Sequence, residues 1–181
     1  AGVRPERVAR LINLEGFGLA ASRPESAPGR YAGWLDELKA PPAMRPYASL
    51  DEVASRLQKT NPRLPAERAA FLAPHWAAQN ADGQWEILGD PAHKMRGPLL
   101  YHVEEVLACW SKIAAPVMWV EGSLTDTSRW WGDRYPRADL ESRLAVVPTL
   151  ERRVLPGAAH MLHHDQPEAL AALIEGFLGA A

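Results

Sequence analysis

The chain has 181 residues, 47% of them hydrophobic, with 20 basic against 22 acidic side chains, a formal charge of -2 and a pI near 6.3. That is enough apolar material for one sizeable core, with room for an inserted subdomain. The near-even charge leaves no basic stripe, which argues against nucleic acid or an anionic membrane surface as partner and makes a small-molecule substrate the expectation.

The opening AGVRPERVAR lacks the apolar stretch of a signal peptide, and no run approaches the ~20 apolar residues of a membrane span. Residues 7–14, RVARLINL, are rich in aliphatic and β-branched side chains and end at EGFG, which reads as a buried parallel strand closed by a tight turn. From about residue 28 to 107 the character changes to proline clusters (APPAMRPY, TNPRLPAE) and short helical segments. Within it Ser49 and Glu52 form an S-x-x-E capping box ahead of Val53 and Leu57, so a helix is predicted to start there. HKMR at 93–96 reads as a solvated basic face. The predicted organisation is thus a core fragment over 1–27, a helical insertion over 28–107 and a C-terminal core over 108–181.

Cys109 is the single cysteine, which excludes an internal disulfide and fits a reducing cytoplasmic compartment; in EVLACWSKI it falls in an amphipathic helix, where a packed, inert thiol is expected. Residues 115–122, APVMWVEG, form a second predicted strand, 137–147 a helix, 151–158 a third strand and 166–178 a last amphipathic helix. Strand, helix, strand, helix implies an α/β fold, with a parallel sheet and right-handed crossovers that put helices on its faces. After the third strand, PGAAHMLHHDQPEAL carries His160, His163 and His164. Histidine titrates near neutral pH and is the default general base, and active sites of open α/β sheets lie at the carboxyl ends of the strands.

In order and spacing, RPERVARLINLEGFG, IAAPVMWVEGSLTD and LERRVLPGAAHMLHHDQPEALAALIEGFL resemble the last three strands of an α/β-hydrolase, with its acid turn and histidine loop. DPAHKMRGPLLYHVEEV resembles the return from that family's helical cap to its core, so the resemblance covers nearly the whole chain. It implies a mostly parallel sheet with helices on both faces, an inserted helical cap, and a nucleophile-histidine-carboxylate triad.

By motif position the histidine is His160, although Ala159 stands where the family usually has glycine. Asp126, in the turn after the second predicted strand, is the expected acid; the family's usual spacing lands one residue earlier, on Thr125. Glu15, after the first strand, is the alternative that some members use. His163 and His164 are expected in solvent-facing or structural roles. The family's G-x-S-x-G elbow occurs nowhere in the chain, and Ser123 reads as a turn residue. The expectation is therefore that Ala1 is not the biological start, and that an upstream segment of about one hundred residues, or a companion chain, supplies the nucleophile. Trp34, Met44, Trp76 and Trp130 are candidate substrate contacts for an apolar or aromatic ester-like substrate. No cofactor is implied, and no zinc-type spacing accompanies the histidines. An aspartate nucleophile would instead imply epoxide hydrolysis or dehalogenation, with Tyr31, Tyr47 or Tyr101 as polarising groups. A non-catalytic ligand-binding protein and a helical interaction module are the readings outside enzymology.

Overall fold

The computed structural model describes residues 1–179, so the last two residues of the predicted 108–181 core lie outside the described residues. The chain divides into two compact units, one of Ala1–Ser22 with the residues from Tyr101 onward, the other of Arg23–Leu100. The predicted insertion was bounded at 28 and 107; Arg23–Ala27 group with the second unit and Tyr101–Leu107 with the first. In the first unit the chain leaves and returns at one place, where the Ser22 amide donates to Tyr101 O (3.1 Å) and the Tyr101 amide to Ser22 Oγ (2.9 Å).

The first unit holds β1 (Leu11–Leu14). The second carries α1 (Ala27–Lys39), α2 (Leu50–Thr60), α3 (Ala66–Trp76) and the strands β2 (Ala77–Gln79) and β3 (Trp85–Ile87). The first unit resumes with α4 (Val103–Trp110), β4 (Val117–Gly122), α5 (Ser128–Trp131) and α6 (Arg137–Leu144). It ends with β5 (Leu150–Leu155), α7 (Leu162–Asp165) and α8 (Pro167–Gly179).

β1, β4 and β5 form a parallel sheet in that order, with Leu11 opposite Val117 and Gly122 opposite Leu155. β4 is the middle strand and every residue of it is buried, as a nearly continuous apolar run requires when both faces are covered. Its side chains alternate. Met118 and Val120 pack with Leu162, Leu170 and Phe177 under α7 and α8, whereas Trp119 packs with Phe17, Tyr135, Leu140 and Leu144 under α6. Helices therefore cover both faces. β1 begins at Leu11 rather than residue 7 because Pro5 starts a 3-10 turn over Pro5–Arg7. β5 ends at Leu155, where Pro156 follows and Gly157 takes φ 71°.

Cys109 is exposed, contrary to the packed thiol expected of it. α4 turns Val103, Val106, Leu107 and Trp110 inward at helical spacing, and Cys109 falls on the other face.

In the second unit Ser49 caps α2 as predicted, its Oγ accepting from the Glu52 amide at 3.2 Å, while Glu52 Oε2 accepts from the Ala48 amide at 3.0 Å. Val53 and Leu57 of α2 are buried opposite Ala69 and Ala73 of α3. The insertion is not wholly helical: β2 and β3 form an antiparallel hairpin. Its loop is built on Asn80, whose Oδ1 accepts from the amides of Asp82 and Gln84, and on Gly83 at φ 75°.

Candidate active site

The carboxyl ends of β1, β4 and β5 bring Glu15, Gly122 and the His160 loop together. Glu15 follows β1 directly, and its amide donates to Val120 O (2.9 Å), extending the ladder by one bond. Its φ is 59°, the one positive φ among the described non-glycine residues, and its carboxylate is buried. A non-glycine residue in this region costs of order 1 kcal/mol or more and persists where its surroundings hold it.

What holds it is visible at each oxygen. Oε1 accepts from the Gly122 amide and from Thr125 Oγ1 (2.8 Å); Oε2 faces His160 Nδ1 at 3.1 Å. Two donors on one oxygen fix the plane of the carboxylate. With Oε2 as acceptor of the Nδ1 proton, the lone pair of His160 falls on Nε2. The imidazole is half exposed while the Glu15 side chain is 1% exposed. This arrangement gives a base with one fixed nitrogen and one open nitrogen.

Close backbone approach makes the geometry possible. A Cβ on Gly122 would lie 2.4 Å from Ala158 O and 2.9 Å from Ala159 O, so only glycine lets the end of β4 meet the histidine loop. The loop itself is tied by the Ala159 amide donating to Asp165 Oδ2 (2.8 Å). At Gly16 a Cβ would sit 2.1 Å from Asn13 Oδ1, which accepts the Gly16 amide at 2.8 Å, so a larger residue there would displace the Asn13 side chain.

The stretch after Glu15 is clamped from the α6 side. Tyr135 donates its hydroxyl to Phe17 O (2.7 Å), Arg143 Nη1 donates to Leu19 O (2.7 Å), and Trp119 Nε1 donates to Gly16 O (3.4 Å). Arg143 also lies over the Tyr135 ring at 4.0 Å and is itself buried. Burial pushes the Tyr135 hydroxyl pKa up, with the Arg143 charge opposing, so it stays a donor.

Asp126 is placed differently from its expected role. It lies at the surface, its Oδ1 accepting from Ser128 Oγ and the Ser128 amide (3.1 Å), with Arg129 Nε 3.4 Å from Oδ2. Those bonds, the Ser128 hydroxyl first, hold its pKa below the usual carboxylate range. The carboxylate on His160 is Glu15. Thr125, where the family spacing lands, carries a hydroxyl that holds Glu15 instead of a carboxylate that would hold His160.

Trp130 packs edge-on against His160, ring centroids 4.6 Å apart, and joins Phe17 and Trp131 in an aromatic cluster. Of the other predicted substrate contacts, Met44 and Trp76 line a groove of the second unit, and Trp34 is half-buried on α1. His164 is buried, its ring 4.3 Å from that of His163, which is exposed. Partial desolvation, and then the charge of His160, lower the His163 pKa; Asp165 opposes them. Gly122, Tyr135 and Arg143 escaped the sequence reading. Only Thr125 left a trace there, through its spacing.

Comparison with family profiles and with curated protein sequences returns no match. Among solved structures, the chain is similar to a thioesterase domain from the curacin biosynthetic pathway, at 27% identity and a TM-score of 0.70, over 96% of this chain and 58% of that one. It is similar to a hypothetical protein from Pseudomonas aeruginosa PAO1 at 21% identity and a TM-score of 0.78, over 98% and 61%. It is also similar to an alpha/beta hydrolase from Novosphingobium aromaticivorans at 16% identity and a TM-score of 0.57, over 97% and 58%. The chain thus spans about three-fifths of the length of these structures. Along nearly its whole length the chain has the α/β-hydrolase fold.

Proposed function

We propose that the chain is the base- and acid-bearing part of a hydrolase that cleaves a small ester-like substrate with an apolar or aromatic portion. The observation that carries this reading is the Glu15-His160 pair, buried on the acid side and open on the base side. The similarity to a thioesterase domain favours acyl transfer over the other chemistries of the fold. His160 is the general base and Glu15 the acid that fixes its tautomer and stabilises the imidazolium.

The nucleophile, in this reading, comes from a segment outside these residues, since the chain holds no G-x-S-x-G elbow. His160 Nε2 takes the nucleophile's proton as its oxygen attacks the carbonyl carbon. The same proton goes to the leaving group when the tetrahedral intermediate collapses to an acyl-enzyme. His160 then takes a proton from water as the water oxygen attacks the acyl carbon, and returns it to the nucleophile's oxygen as that bond breaks, releasing the acid and regenerating the nucleophile. Trp130, edge-on to His160, offers an apolar surface beside the base for the apolar portion of the substrate.

The test is p-nitrophenyl butyrate turnover by the longer protein that carries this chain. His160→Ala is expected to lower kcat by about 10³-fold or more with the fold intact by circular dichroism. Turnover unchanged in the variant, or ligand binding without turnover in the unmodified protein, contradicts the catalytic reading.

A further inference from the structure

The second unit contains a groove of about 660 Å³, within the size range of small-molecule sites. Its apolar walls include Tyr47, Ile87 and Trp76, and around them stand Arg45, Arg56, Lys59 and Lys94. No carboxylate lines it, and among the described residues none of these four cations is in an ion pair. Elsewhere several arginines are paired, Arg96 with Glu37, Arg137 with Glu121 and Glu141, Arg152 with Glu141, while Arg30, Arg134 and Arg143 donate to backbone carbonyls.

The arrangement exceeds what local structure accounts for. Lys59 in the last turn of α2 complements the helix dipole, and Arg56 reaches Thr60 one turn on. Arg45 comes from the segment before α2, however, and Lys94 from a 3-10 turn after β3, its Nζ donating to Ala43 O at 3.2 Å. Three separate stretches of chain converge their positive charge on one apolar hollow. Lys94 belongs to the HKMR run expected to be a solvated face; it is the one of that run that lines the groove.

We propose that this groove binds an amphiphile with a single anionic head, a carboxylate or a phosphate, and a hydrocarbon or aromatic body. The head lies among Arg45, Lys94 and the α2 cations, and the body lies against Trp76, Tyr47 and Ile87. A charge-assisted contact is about twice as strong as a neutral one, so the head dominates selectivity. The inference shares no residue with the catalytic reading and is tested without turnover, so either can fail alone.

The experiment is calorimetric titration of the protein with octanoate, octyl phosphate and 1-octanol at low salt. Both anions are expected to bind about tenfold or more tightly than octanol, with the gap closing as salt is raised. Their ratio tells a carboxylate site from a phosphate site. The double variant Arg45→Gln, Lys94→Gln is expected to weaken both anions and leave octanol unchanged, whereas Trp76→Ala weakens all three ligands. Anions that bind no tighter than octanol, or that bind the double variant as they bind the unmodified protein, overturn the proposal.

Discussion

Glu15 and Asp126 are two carboxylates at the ends of adjacent strands, and their surroundings divide the roles. Glu15 is buried, with one oxygen on Gly122 and Thr125 and the other on His160. Asp126 spends its bonds on Ser128 and Arg129 at the surface. Spacing along the chain favours Asp126 because it is the carboxylate nearest the expected position. The pairing depends instead on where the Thr125 hydroxyl points and on a positive φ at Glu15, neither of which spacing along the chain reveals. His160 was legible because small residues, the end of a strand and a following helix mark its loop. The neighbouring His163 provides a residue-scale prediction. With its pKa below the usual value of about 6.5, the folded state resists a proton that the unfolded state accepts, so this residue lowers stability as pH falls through that value. A proton NMR titration should give His163 a midpoint below the usual one. His160→Ala should raise that midpoint without restoring it fully, because desolvation is the larger cause.

At the scale of elements, α6 does more than cover a sheet face. Through Tyr135 and Arg143 the turn before α6 and the helix itself hold the carbonyls of the loop that follows Glu15. Tyr135→Phe leaves the buried Phe17 carbonyl without its donor and should cost about 1–3 kcal/mol in denaturant unfolding. It should also lower kcat more than KM, because Glu15 shifts with its loop. Gly122→Ala drives a Cβ into the Ala158 carbonyl and should separate Glu15 from His160, read as a fall in thermal midpoint and in turnover. The three strands and helices α2, α4, α6 and α8 were legible from apolar runs, capping and helical spacing. The β2–β3 hairpin was not: its strands have three residues each, too short for a period-2 pattern to emerge. Its Asp82-Gly83 turn was the available signal.

At the scale of the molecule, the sheet's two outer strands differ. Each pairs with β4 alone among the described residues and each exposes an apolar side chain, Leu14 on β1 and Val154 on β5, although β5 also displays Arg152 and Arg153, charged side chains that protect an edge. An apolar edge of this kind templates further pairing. The 181-residue chain on its own is therefore expected to elute from size exclusion as a self-associated species; a monodisperse monomer would contradict this. Whether Glu15 rather than Asp126 orients His160 as the proposed base is decided by kcat for Glu15→Gln and Asp126→Asn, measured with this chain joined to the proposed nucleophile-bearing segment. A loss of about 10²- to 10⁴-fold is expected for the first and a value near that of the unmodified protein for the second. A severe loss in Asp126→Asn with Glu15→Gln little affected would contradict it.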